Sequence, residues 1–156
     1  MGQSRDLLTP EQRSRNMSKI RGKNTKPELQ VRQYLHRHGF RYSLHRRDLP
    51  GRPDLTLAKR GAVVFVHGCF WHSHVGCRLA AVPATRPEFW KQKLGANVER
   101  DRRNLEDIRK AGWRVAIVWE CALRGSPGAA LAGLANFLKS RAAFAEFALD
   151  QEPKME

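Results

Sequence analysis

Residues 67 to 77 of the 156-residue chain read His67-Gly-Cys69-Phe70-Trp71-His72-Ser-His74-Val-Gly-Cys77. Two thiols and three imidazoles fall within these eleven residues, with two large aromatics among them. The third and last cysteine, Cys121, lies far downstream in Val118-Trp119-Glu120-Cys121. Zinc takes thiolate sulfur and imidazole nitrogen in four-coordinate structural sites. Cys69, His74, Cys77 and Cys121 can therefore close a tetrahedral zinc site, which would tie two remote parts of the chain together. His67 and His72 would be left free for chemistry beside the metal. The competing reading is three buried free thiols with surface histidines, and the crowding of donors weighs against it. An odd cysteine count also argues against a disulfide framework.

The length suits one domain with a proper core. Lys and Arg number 29 against 15 Asp and Glu, a formal net charge of +14. The excess is uneven: residues 1 to 60 hold fifteen Lys or Arg and five Asp or Glu. Such a region on a basic domain points to a polyanion, most often nucleic acid. A hydrophobic content of 41% argues against global disorder. No apolar run approaches the length of a membrane span, and the N-terminus lacks the apolar core of a signal peptide. The expected setting is the cytoplasm, at the nucleoid, with no membrane partner.

The pattern along the chain divides it into a basic arm (1–22), a main domain (23–149) and a flexible polar tail (150–156). Thr9-Pro10-Glu11 has the form of a helix start, and the basic stretch that follows has only Met17 and Ile20 as a thin apolar face. Thr25-Lys-Pro27-Glu28 opens a second helix with capping-box spacing. Leu29, Val31, Tyr34 and Leu35 are its expected buried face, and Gly39 its end. Phe40 to His45 alternates like a strand. Leu55–Ala58 and Ala62–Val66 read as a hairpin around Lys59-Arg60-Gly61. Pro87 to Lys110 reads as a long helix, with a bend expected at Gly95. Phe89, Trp90, Leu94, Val98, Leu105 and Ile108 recur on it at helical spacing. Trp113 to Trp119 reads as a buried central strand and Ala129 to Leu138 as a last helix. Together these predict an α/β domain with a central mixed β-sheet flanked by helices.

Asp54 sits where a loop enters the first hairpin strand, and the second strand ends at Val66 and delivers His67 to the same rim. A carboxylate there, with a backbone carbonyl from the adjacent strand end, suits a hard divalent cation such as magnesium. A nearby imidazole can take a proton from water. This is a sufficient kit for phosphodiester hydrolysis. Glu28 has two compatible roles, in the capping box or toward the metal through water. Asp101, among arginines in Asn97-Val-Glu-Arg-Asp101-Arg-Arg, is either a local ion-pair partner or the group that fixes the tautomer of a catalytic histidine. Phe70 and Trp71, adjacent on an irregular segment, suit wedging between base pairs, with Trp90 a further candidate.

Five motifs in order, Pro50-Gly-Arg-Pro-Asp54, Phe65-Val-His67-Gly-Cys69-Phe70-Trp71-His72, Pro83-Ala-Thr-Arg-Pro-Glu-Phe89-Trp90, Asn97-Val-Glu-Arg-Asp101-Arg-Arg and Gly112-Trp-Arg-Val-Ala-Ile-Val-Trp-Glu-Cys121, closely resemble the very short patch repair mismatch endonucleases. The resemblance runs from about Arg13 to Arg124. It implies a restriction-endonuclease-like fold and a magnesium-dependent nick 5′ of the thymine in a T:G mismatch produced by 5-methylcytosine deamination. By the same resemblance Asp54 is the metal-binding aspartate, His72 the catalytic histidine and Asp101 its supporting acid. Glu28 and His67 stand around the metal waters. Cys69, His74, Cys77 and Cys121 are the structural zinc ligands, and Phe70, Trp71 and Trp90 intercalate beside the mismatch. The N-terminal helix is the arm that clamps DNA. Two positions depart from the pattern. Val66 stands where the family can have threonine, and a backbone carbonyl from valine serves equally. The His74–Cys77 segment is one residue longer, which leaves His72 as a competing zinc ligand. Expected partners are a duplex with a T:G mismatch, acted on by a monomer, and a functional link to a DNA cytosine-5 methyltransferase and mismatch-repair proteins.

Overall fold

A computed structural model describes residues 24–149 and the backbone of 154–155. The expected basic arm lies outside the described residues, as does most of the expected tail. The elements run α1 (Lys26–Arg37), β1 (Ser43–Leu44), β2 (Leu55–Leu57), β3 (Ala62–His67), α2 (Pro87–Lys110), β4 (Arg114–Trp119), α3 (Glu120–Gly125), α4 (Pro127–Lys139), β5 (Phe144–Phe147) and β6 (Lys154–Met155). The six strands lie in one sheet in sequence order. β3–β4 and β4–β5 are parallel and the other pairs antiparallel, so the sheet is mixed as expected. Parallel neighbours need a crossover, and α2 supplies one while α3 and α4 supply the other.

The two central strands are apolar on both faces because both faces are covered. Val64, Val66, Ala116 and Val118 join a core with Val31 and Leu35 of α1 and with residues of α3 and α4. The intervening positions Val63, Phe65, Val115, Ile117 and Trp119 join a second core with Ile108 of α2, Cys69 and Cys121. This is the period-2 alternation of a strand, read twice. Fully burying one such valine contributes roughly 1.5 kcal/mol or more.

Several sequence expectations shift. The strand expected over 40–45 shortens to Ser43–Leu44, since only these residues find partners, at Thr56 and Leu55. The hairpin turn is a 3₁₀ turn over Ala58–Arg60 closed by Gly61 at φ +59°. The long helix is assigned without a break through Gly95. Leu29, Phe89 and Val98 are exposed, not buried, because each helix has a narrower contact with the sheet than its apolar residues suggest. Helix α3 and strand β5 are not expected from the sequence, and neither is β6, which lies in the stretch read as a flexible tail. Among the described residues no helix is long and apolar enough to cross a membrane.

Candidate active site and cysteine–histidine cluster

Strand β3 outruns its antiparallel neighbour. Its pairing with β2 covers Ala62 to Val64, so Phe65 to His67 project past the start of β2. Asp54, just before β2, fills that free edge: the Val66 N–H donates to Asp54 Oδ2 at 2.6 Å. Burial pushes the Asp54 carboxyl up to about 8, with the negative Glu28 adding to the rise and the Val66 N–H opposing it. Near neutral pH such a carboxyl holds a proton, which a cation bound at the site would displace.

Glu28 arrives from the first turn of α1. Its N–H donates to Thr25 Oγ1 at 3.4 Å, the cap expected from sequence. Its carboxylate reaches back to the N–H of Asn24 at 3.1 Å, one residue before the capping-box partner. The same oxygen, Oε2, accepts from Arg32 at 3.0 Å and His45 Nε2 at 3.1 Å. His45 follows β1 and was not singled out from sequence. Its only early signal is its position on a strand that leads into the Pro50–Asp54 loop. Glu28, His45 and Asp54 place one donor atom each within 4.8 Å of one another, a donor set that fits a divalent cation.

His67 and His72 lie face to face, their ring centroids 3.8 Å apart and planes 2° from parallel. Burial holds the His67 imidazolium well below the ordinary histidine range, with the neighbouring His72 and His74 adding to the fall. His67 is therefore neutral, and its Nδ1 is buried with no hydrogen-bond partner among the described groups. His72 Nδ1 meets Asp101 Oδ2 at 2.5 Å across α2. Asp101 thus serves a histidine 29 residues away, while its neighbour Arg102 pairs with Glu99 and Glu106. Four residues before Asp101 on the same helix, the buried Asn97 donates from Nδ2 to the Trp71 carbonyl at 3.1 Å. Asn97 is a second residue that the sequence did not single out.

A cleft of about 1390 Å³ is lined by Glu28, His45, Asp54, Val66, His67 and His72, and also by Phe70, Trp71 and Asp101. Trp90 is not part of that lining, but it sits edge-on to Phe70 at 5.3 Å and 6.1 Å from Trp71. The three aromatics form one half-buried group at the rim.

The cysteine–histidine cluster stands apart from the cleft. β3 and β4 are in parallel register, with His67 opposite Trp119, so Cys69 and Cys121 follow side by side. The Cys121 N–H donates to Cys69 Sγ at 3.4 Å. Donor atoms of Cys69, His74, Cys77 and Cys121 all lie within 4.8 Å of one another. His72, engaged by Asp101, is not in this group, so the histidine that the geometry offers is His74. Its ring stacks on the Trp119 indole at 3.9 Å and 5°, and the indole N–H donates to Glu146 Oε1 at 2.6 Å. Burial pushes the Cys69 thiol strongly up. Thiols so disposed suit a thiophilic metal, which binds them as thiolates.

Residues 5–78 match the family model described as DNA mismatch endonuclease Vsr. The chain is 49% identical over 133 residues to the type II nicking enzyme V.XorIIP of Xanthomonas oryzae, covering 85% of this chain and 96% of the relative. It is 50% identical over 113 residues to the DNA mismatch endonuclease Vsr of Escherichia coli, covering 72% of each chain. The chain belongs to the Vsr family. It is also 43% identical over 119 residues to the type II nicking enzyme V.NmeAIP of Neisseria meningitidis, covering 76% of this chain and 84% of the relative. As a Vsr-family member the chain is a DNA endonuclease, and DNA is its substrate.

Proposed function

We propose that the enzyme nicks one strand on the 5′ side of thymine in a T:G mismatch, the product of 5-methylcytosine deamination, and so begins very short patch repair. The observation that carries the reading is the His72–Asp101 pair opening onto the same cleft as Asp54. With Nδ1–H donated to Asp101, the lone pair at His72 Nε2 is the proton acceptor for an attacking water. Neutral His67 lies under the His72 ring and also lines the cleft, where it would face the waters around the metal. Asp54 and the Val66 carbonyl would hold magnesium. A strand residue turns its N–H and C=O to the same side, so the Val66 N–H bond to Asp54 supports this placing of the carbonyl. A cation bound there would neutralise charge on the scissile phosphate and acidify water. Glu28 would order the waters around it.

Cys69, His74, Cys77 and Cys121 would hold a structural zinc that fixes the segment between them. Phe70, Trp71 and Trp90 would then enter the stack beside the mismatch. The wobble pair is cheaper to open than a Watson–Crick pair, and aromatic stacking returns roughly 1–3 kcal/mol per base. We read the enzyme as a monomer working at the nucleoid behind a DNA cytosine-5 methyltransferase and alongside mismatch-repair proteins. The E. coli relative, named a DNA mismatch endonuclease, supports the mismatch reading. The test is nicking of end-labelled duplexes that differ only in one T:G or T:A pair, with and without magnesium. A magnesium-dependent nick 5′ of the thymine in the T:G duplex alone is expected. Equal cutting of both duplexes would overturn mismatch selection.

A further inference from the structure

We propose that His45 is a nitrogen ligand of the catalytic cation, which makes the centre favour manganese over magnesium. The proposal rests on the reading of Asp54 as the cation site. His45 Nε2 lies 3.1 Å from Glu28 Oε2 and 3.8 Å from Asp54 Oδ1. Donors about 2.1 Å from one octahedral cation stand about 3 Å apart when adjacent. The trio therefore needs only a small closure to share an ion.

Three further observations favour ligation over a simple hydrogen bond. The first is that Glu28 does not need His45. Its Oε2 also accepts from the Asn24 N–H and from Arg32 Nη2, so turning the imidazole to a cation leaves no buried carboxylate oxygen unpaired. The second is that Asp54 commits Oδ2 to the Val66 N–H and leaves Oδ1 toward His45. The third is backbone geometry. His45 holds φ at +47°, where a residue with a side chain is strained. Its N–H donates to the Asp54 carbonyl at 3.3 Å, so that conformation aims the ring beside Asp54. Strain of this kind persists where the surroundings require it.

The consequence is a mixed nitrogen–oxygen centre. Magnesium is a hard cation of oxygen ligands, whereas manganese is a divalent first-row transition metal, a series whose members bind mixed nitrogen–oxygen sites. The full chain, purified with its zinc content measured, is titrated with Mn2+ and read by electron paramagnetic resonance. Pulsed spectra of the bound ion should carry 14N modulation from a directly bonded imidazole. His45→Gln should remove that modulation and weaken Mn2+ binding about tenfold or more, since even the partners of metal ligands are worth 10–100-fold. Mg2+ affinity, read by competition against Mn2+, should fall less. Asp54→Asn separates this proposal from the one beneath it. If Asp54→Asn binds Mn2+ as the parent does, the cation site itself is misplaced. If Asp54→Asn loses Mn2+ while the parent shows no 14N modulation, or His45→Gln keeps it, Asp54 stands and His45 is no ligand. The parent spectrum decides the matter even where a variant fails to fold.

Discussion

On the proposed mechanism, the chemistry at His72 turns on which ring nitrogen is free, and the Asp101 contact at Nδ1 leaves Nε2 for it. His72→Ala should lower the nicking rate by about 10²–10⁴ while zinc content and affinity for DNA stay as in the parent. Asp101→Asn should give a smaller loss of the same kind, because the ring remains but its tautomer is no longer fixed. Single-turnover nicking and a binding titration on the same duplex check both. Trp71 offers a second test. Fluorescence of 2-aminopurine beside the mismatch should rise on binding the parent protein and rise less with Trp71→Ala. Only part of this residue-level detail is legible in the sequence. Asp54 and Val66 meet at a hairpin rim, and a hairpin can be read locally. Asp101 pairs across 29 residues, and local spacing alone offers it neighbouring arginines, which the resemblance to a family corrects. His45 has no local signal beyond its place on a strand, since its partners come from α1 and from the loop before β2.

Among the elements, β4 is the easiest to read and β5 the hardest. Residues 115–119 are apolar without a break because both sheet faces are covered. Phe144–Phe147 alternates half-buried and buried positions over only four residues, and its Ala and Glu favour helices. Helix α3 escapes for a similar reason: six residues are too few for a periodic signal. The first residue of β4 performs a separate task. Arg114 donates to the carbonyls of Phe137 at 3.0 Å, Leu138 at 3.1 Å and Ala142 at 3.2 Å, and Nη2 donates to that of Arg60 at 3.0 Å. It thereby adds donors at the end of α4, where the Phe137 carbonyl also accepts from the Ser140 N–H and hydroxyl, and its charge suits that end of the helix dipole. Arg114→Met retains much of the stem but none of the donors. It should cost about 1.5–3 kcal/mol, read as a lower urea midpoint with an unchanged slope.

For the molecule as a whole, the formal charge of +14 sets how it meets DNA. Residues 1 to 21 contribute five Lys or Arg and two acids. A chain lacking them should bind all duplexes more weakly. Its plot of log affinity against log salt should also flatten, by roughly 0.9 for each phosphate that the arm neutralises. Discrimination between T:G and T:A duplexes should change less, because the aromatic rim and the cleft remain. Fluorescence anisotropy at several salt concentrations measures both quantities, and an unchanged slope would show that the arm does not touch phosphate.

The side-by-side placing of Cys69 and Cys121 also has a kinetic consequence. These cysteines are 52 residues apart in the chain, and they become neighbours only once β3 and β4 have paired in parallel across α2. Bringing such distant segments together carries a loop-closure cost that local helix formation does not. If the cluster holds zinc as proposed, the complete thiol–imidazole cage comes late in folding, and metal capture would report the arrival of the native topology. During refolding from urea with one equivalent of zinc and a weak coloured chelator, helical circular dichroism should recover first. Colour should fade in a later phase. In Cys121→Ser the fast phase should persist while the late one loses most of its amplitude, leaving a less stable chain, since the energy of metal binding is part of the energy of folding.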